Sequence, residues 1–153
     1  MSKQDRYDQM YINIAHDISD MSHDSEIKVG SIIVKDDNII SMGWNGMPSG
    51  MDNNTRSHTG CTNKEVIHSE MNALMKLAKT GGSCNGATLY TTHSPCWECA
   101  KLLLQAGINR IVYTYNYDET AVIFLLERNI ELHGNIQPNN RILEDKGRQS
   151  KSQ

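Results

Sequence analysis

Ala87-Thr88-Leu89-Tyr90-Thr91-Thr92-His93-Ser94-Pro95-Cys96-Trp97-Glu98-Cys99 reads as a β-strand running straight into the first turn of a helix. The run from Ala87 to Thr92 supplies the strand. Pro95 fits just ahead of the helical turn, where its missing N–H costs nothing. Two residues separate Cys96 from Cys99, and on a helix that spacing puts both side chains on one face, a turn apart. A helix N-terminus presents free backbone N–H groups and a partial positive charge, which lower thiol pKa values and favour thiolates. Upstream, His68-Ser69-Glu70 stands at the expected start of another helix.

Together the two motifs offer one imidazole, His68, and two thiolates, Cys96 and Cys99, a donor set that suits zinc. Three protein ligands leave the fourth tetrahedral position to water, the mark of a catalytic rather than a structural site. Glu70 lies two positions after a ligand, placed to lean over that water without binding the metal. A carboxylate there can take a proton from the activated water and deliver it to a leaving group. His-x-Glu followed by Pro-Cys-x-x-Cys is the general signature of zinc-dependent nucleobase deaminases, so the chemistry indicated is hydrolytic loss of ammonia.

The chain has 153 residues, enough for one domain with a single substantial core. Its net charge is −3 and its pI about 6.0, and no run of Lys or Arg is long enough to track a phosphate backbone. A small molecule is therefore expected as substrate rather than nucleic acid. No apolar run approaches a bilayer-spanning length, and the polar start Met1-Ser2-Lys3-Gln4-Asp5-Arg6 lacks the apolar core of a signal peptide. A soluble, cytoplasmic protein without a membrane partner is expected. Of four cysteines, two belong to the metal motif, and Cys61 and Cys84 do not suggest a disulfide framework.

Apolar residues at Tyr7, Met10, Tyr11, Ile14, Ala15 and Ile18 predict an amphipathic helix from about Asp5 to Met21. Ile27 to Val34 and Ile39 to Met42 predict a β-hairpin about Asp36-Asp37-Asn38. Gly43 to Asn54 is too rich in Gly, Pro and Asn for regular structure, and its length, reaching about Lys64, favours a functional loop. Val66 to Lys79 predicts a helix burying Ile67, Met71, Leu74, Met75 and Ala78, stopped by Gly81-Gly82. Beyond the second motif, Ala100 to Ala106 continues a helix, Ile111 to Tyr115 makes a strand, Glu119 to Arg128 a helix and Ile130 to His133 a last strand. This alternation predicts parallel strands in the second half. The expected architecture is α/β: a mixed sheet opened by an antiparallel hairpin, with helices on both faces and the metal between two helix N-termini. Residues 1–137 form the domain, and the polar tail 138–153 is expected to fray.

The order of motifs resembles the cytidine and deoxycytidylate deaminase superfamily, with the closest similarity to deoxycytidylate (dCMP) deaminases over roughly residues 5–135. The residues that carry it are Lys28-Val29-Gly30-Ser31-Ile32-Ile33-Val34, Gly43-Trp44-Asn45-Gly46-Met47-Pro48-Ser49-Gly50, Glu65-Val66-Ile67-His68-Ser69-Glu70-Met71-Asn72-Ala73 and Thr92-His93-Ser94-Pro95-Cys96-Trp97-Glu98-Cys99-Ala100-Lys101. The zinc motifs identify the superfamily, and the Asn-Gly-x-Pro-x-Gly loop points to dCMP. The resemblance implies a three-layer cytidine-deaminase-like fold on a mixed five-stranded sheet. It also implies conversion of dCMP to dUMP and ammonia, supplying dUMP for thymidylate synthesis. Water adds at C4 of the pyrimidine while Glu70 protonates N3 and then the departing amine.

By the same resemblance the Ser69 backbone N–H meets O2, the Ser94 carbonyl meets the exocyclic amine, Asn45 holds the sugar hydroxyl and Tyr117 lies by the 5′-phosphate. A dianionic phosphate also calls for a cation or several N–H donors, and Lys28 and Lys64 are the candidate cations. The family is commonly a homohexamer raised by dCTP and lowered by dTTP, often with Mg²⁺. That places an effector at the loop from Asn45 to Asp52, including Gly46 and Gly50, together with Asn72 and Lys79, with Asp52 meeting magnesium through the triphosphate. Ser69 departs from the family's commonest residue, Ala, at a position whose backbone role survives the change. His93 is a candidate substrate contact, and Trp97 serves either as a wall of the base pocket or in helix packing. Two other classes stay open: a deaminase of a free base, nucleoside or RNA base, and a non-catalytic zinc-containing nucleotide sensor. One Phe and two Trp give little of the aromatic platform that RNA calls for, and an intact Glu70 speaks against the sensor.

Overall fold

The structure, a computed structural model, describes residues 1–141. A five-stranded sheet runs in the order β2-β1-β3-β4-β5, from β1 (Gly30–Lys35), β2 (Asn38–Trp44), β3 (Thr88–His93), β4 (Arg110–Tyr115) and β5 (Glu131–His133). β1 pairs antiparallel with β2 and with β3, whereas β3, β4 and β5 are parallel. The mixed sheet and the parallel second half are as the alternation of elements predicts. The hairpin turn is made by Asp36 and Asp37, both with positive φ (50° and 61°), the geometry that lets a two-residue loop follow the twist of its strands.

Side chains alternate across the sheet, except at a bulge between β1 and β2 opposite Ile33 and Val34. Ile32 and Val34 of β1, Tyr90 of β3 and Val112 of β4 face α1 (Lys3–Ser19) and pack on its Tyr11 and Ile12. Ile33, Leu89, Ile111 and Tyr113 face the other way, onto α2 (Ser69–Lys79), α3 (Trp97–Ala106) and α4 (Glu119–Glu127). β1 and β3 are buried on both faces, which is why they read as near-continuous apolar and β-branched runs. α1 is started by a capping box between Ser2 and Asp5 and pinned to the sheet by Asp8. The Asp8 carboxylate accepts from both terminal nitrogens of Arg110 (2.9 and 2.7 Å) and from the Tyr90 hydroxyl (2.6 Å). Burial works against that charge, but these donors outweigh it and hold the carboxyl below its usual range.

Some boundaries differ from expectation. β2 continues through Gly43 and Trp44, because pairing of Gly30 with Trp44 and of Ser31 with Gly43 extends the ladder into what reads as loop. α2 begins at Ser69 rather than Val66, since Ile67 and Gly46 exchange backbone hydrogen bonds (3.1 and 2.8 Å) that keep residue 67 extended. The buried face of α2 is correspondingly Ala73, Leu74 and Leu77, and Met75 is 56% exposed. Of the polar tail, Asn139, Asn140 and Arg141 hydrogen-bond to Asn13, Asp17 and Asp20 of α1 and its C-cap. Residues 142–153, the rest of the expected fraying segment, lie outside the described residues. No helix among the described residues is long and apolar enough to cross a membrane.

Gly43 sets the distance between β2 and α2. A Cβ there would collide with the Ser69 carbonyl oxygen and the Ala73 backbone nitrogen. Gly43→Ala must therefore push the start of α2 off the sheet, at a cost of about 1–3 kcal/mol as for other overpacked sites. Urea unfolding combined with zinc analysis will show a loss of stability together with a loss of bound metal.

Candidate metal and active site

The two motifs meet at the carboxyl ends of the parallel strands, where α/β sheets commonly hold ligands. His68 is the N-cap of α2 and Cys96 the N-cap of α3, both in extended backbone conformation, and neither side chain caps its own helix. Both are thereby free to turn toward each other. His68 Nδ1 lies 3.5 Å from Cys96 Sγ and 3.4 Å from Cys99 Sγ, and all three ligand atoms fall within 4.8 Å of one another. Nitrogen and sulfur bound to one tetrahedral zinc at its ordinary bond lengths stand about 3.5 Å apart, so the donor set fits that ion in both chemistry and spacing.

The thiols are electrostatically coupled. Cys96 is drawn down to about 4, chiefly by the hydrogen bond from Cys99 and then by His68, while sharing with Cys96 and burial push Cys99 up. A thiolate beside His68 is the form that a divalent cation would bind. Glu70, 2% exposed, sits in the same crevice, and its charge is among the influences that raise the Cys99 thiol. Burial raises its pKa, and the Ser69 hydroxyl, donating to Oε1 at 2.6 Å, partly opposes that rise.

Around this centre the expected site residues divide into those already engaged and those open to solvent. Ser69 occupies the first helical position, where the backbone N–H has no intrahelical acceptor. Ser94 is buried; its N–H donates to the Tyr115 carbonyl, and its Oγ accepts from the backbone N–H of Tyr117 at 2.7 Å, bringing Tyr117 to the end of β3. Asn45 is buried, with Oδ1 accepting from Val29 N–H (2.9 Å) and Nδ2 donating to the Ile27 carbonyl (2.8 Å), so it braces the segment that carries Lys28. Lys28 and Lys64 are exposed. Asn72 donates to the Trp44 carbonyl at 2.8 Å, joining α2 to the end of β2, close to Gly46. Gly50 has φ 89° and open space about it, and Asp52 is exposed and accepts from Asn54 N–H. Lys79 ends α2, about 10 Å along the axis from Asn72.

His93, 6% exposed, bonds through Nδ1 to Thr92 Oγ1 (2.8 Å) and packs on Tyr115, and burial lowers its pKa to about 4, so it is neutral at pH 7. Trp97 is a packing residue. Its ring lies 4.8 Å from Phe124 and its Nε1 donates to Thr120 Oγ1, which ties α3 to α4.

Sequence reasoning misses Asp24. This 1%-exposed carboxylate accepts from the backbone N–H groups of Glu26 and Ile27, from Thr55 Oγ1 and from Arg56, and so clasps the long loop to the segment ahead of β1. An acid preceding Ile27 and an Arg inside a polar loop carry no periodic signal.

The region from residue 5 to residue 115 matches the family model described as the cytidine and deoxycytidylate deaminase zinc-binding region. The chain belongs to this deaminase family. Among curated family members, the deoxycytidylate deaminase of Enterobacteria phage T2 is 32% identical, with 71% of this chain and 79% of that protein covered. The deoxycytidylate deaminase of Homo sapiens is 31% identical, with 77% and 72% covered. Among solved deaminase structures, the dCMP deaminase of cyanophage S-TIM5 in complex with dCMP and dUMP superposes with a TM-score of 0.82 at 36% identity, covering 88% of this chain and 98% of that one.

Two measurements check this geometry. Elemental analysis of the purified deaminase is expected to find about one zinc per chain, and Cys99→Ala to lose it. For Asp24, burial raises the pKa but the backbone N–H groups of Ile27 and Glu26, with Arg56 and Thr55, outweigh it, so the folded value lies below the ordinary one. The stability it contributes is present above the ordinary carboxylate range and disappears as pH falls through the folded value. Asp24→Ala is expected to cost about 3–5 kcal/mol at neutral pH, and its unfolding curve to converge on the wild-type curve in acid.

Proposed function

We propose that this chain hydrolyses dCMP to dUMP and ammonia. The observation that carries the reading is the convergence of His68, Cys96 and Cys99 beside buried Glu70. The similarity to a dCMP deaminase solved with dCMP and dUMP supports the choice of substrate. Zinc, when bound by the three ligands, supplies a Lewis acid that lowers the pKa of a coordinated water toward neutrality.

The chain's own groups supply the rest. Glu70, its proton affinity raised by burial, carries one proton of the attacking water to N3, which dUMP keeps, and then the second, from the new C4 hydroxyl, to the amine, which leaves as ammonia. The uncommitted Ser69 N–H receives O2, and the Ser94 carbonyl accepts from the amine that departs. Asn45 keeps one N–H and one lone pair beyond its bonds to Ile27 and Val29, enough to meet a sugar hydroxyl. Tyr117, with Lys28 and Lys64, takes the 5′-phosphate. The dUMP formed is the substrate for thymidylate synthesis.

The regulatory part of the reading is a homohexamer raised by dCTP and lowered by dTTP with Mg²⁺. Its support is an open apolar groove between α2 and α3, lined by Met71, Met75, Leu102 and Ala106, and the exposed Gly50 to Asp52 turn of the long loop. Residues 1–137 form the catalytic unit.

Turnover of dCMP, CMP, deoxycytidine and cytosine, each with and without dCTP and Mg²⁺, tests this reading, with Glu70→Gln as the blank. Strong preference for dCMP is expected, and Glu70→Gln is expected to lose about 10²–10⁴-fold in kcat, the ordinary contribution of a general acid–base group. Turnover of a nucleoside or free base instead overturns the substrate. A monomer insensitive to both triphosphates overturns the regulation.

A further inference from the structure

Glu70 is held by a line of buried hydroxyls that crosses the sheet. Ser69 Oγ donates to Glu70 Oε1 at 2.6 Å and lies 2.7 Å from Ser31 Oγ. Ser31 Oγ in turn lies 2.9 Å from Thr91 Oγ1, which donates to the His93 carbonyl at 3.0 Å. Ser31, Ser69 and Thr91 each have no exposed surface. The line therefore starts on α2 at the first motif, passes through β1, and ends on β3 just ahead of Ser94-Pro95-Cys96. Three otherwise separate segments are joined by hydroxyls alone.

Donor count fixes how the line works. Thr91 gives its proton to the His93 carbonyl and Ser31 gives its own to Thr91, so Ser31 Oγ meets Ser69 as an acceptor and the single Ser69 proton is shared between Ser31 and Glu70. With no water reaching them, these groups have no other partners, and a hydroxyl that accepts a hydrogen bond becomes a better donor in turn. A carboxylate side chain has three rotatable bonds, and burial alone does not choose its rotamer; a short hydrogen bond from a fixed hydroxyl does.

We propose that Ser69 and Ser31 are positioning residues for the deamination: Ser69 fixes the rotamer of Glu70, and Ser31, anchored by Thr91, fixes the hydroxyl of Ser69. This gives the Ser69 side chain a role beyond that of its backbone N–H. The inference rests on the catalytic reading of Glu70 given above.

Steady-state kinetics and crystal structures of zinc-loaded wild type, Ser31→Ala, Ser69→Ala and the double variant test it. Both substitutions remove a single oxygen from a small side chain, and metal content and melting temperature report on folding. For Ser69→Ala, kcat is expected to fall roughly ten- to a hundredfold, as for loss of a hydrogen bond to a charged group, with KM unchanged. Ser31→Ala is expected to lower kcat less, and the double variant to be no slower than Ser69→Ala. Glu70, in one rotamer in the wild type, is expected to occupy two or more in Ser69→Ala. Wild-type kcat in Ser69→Ala, or effects of the two substitutions that multiply, overturns the inference, as does a single unchanged Glu70 rotamer. Failure of the wild type to deaminate dCMP counts against the functional reading instead. The rotamer of Glu70 in Ser69→Ala still decides the positioning.

Discussion

The site depends on how closely the start of α2 lies against β2. That contact exists because position 43 has no side chain: backbone meets backbone where Gly43 faces Ser69 and Ala73. Asn72 fastens the same helix to Trp44, and the exchange of hydrogen bonds between Gly46 and Ile67 fixes the approach of the chain just before His68. His68 is thus delivered from the β2 side of the sheet, while Cys96 and Cys99 are delivered by β3 and α3. A metal ion needs its ligands placed to within a few tenths of an ångström, and two rigid helix starts meet that requirement better than loops do.

Placing charge in this crevice creates a second demand. Glu70 and two sulfurs lie together, with Glu70 and Cys99 buried, so negative charge on one disfavours it on the others. The free N-termini of α2 and α3 and the imidazole of His68 offset part of that repulsion, and a divalent cation offsets the rest. His93, just ahead of the second motif, adds no charge at pH 7, since burial lowers it to about 4.

What the sequence makes legible follows from periodicity and from rarity. Alternation of apolar stretches gives every strand and helix among the described residues, and the uncommon residues His68, Cys96 and Cys99 at fixed spacing mark the group that the fold brings together. Boundaries move where tertiary pairing overrides local composition: Gly43 and Trp44 look like loop but complete the ladder opposite Ser31 and Gly30. The buried face of α2 shifts because the helix starts three residues late, leaving Met75 outside. The hydroxyls of Ser31 and Thr91 and the carboxylate of Asp24 are illegible for a different reason. Each is an ordinary residue whose importance lies in a partner distant in the chain, and a single sequence carries no record of such pairs.

Strand order has a consequence for how the chain assembles. β1 lies between β2, its immediate successor, and β3, which follows only after the long loop and the whole of α2. When the protein emerges from a ribosome, the β1–β2 hairpin is complete early, yet the other edge of β1 offers unpaired N–H and C=O groups until Thr88–His93 arrives. An open edge of that kind invites pairing with foreign strands. Lys35 closes one end of it, and α1, made first, is in place to shield its Ile32 and Val34 face. The same α1 then takes contacts from Asn139, Asn140 and Arg141, so among the described residues the first helix synthesised is fastened by the last residues of the chain to arrive.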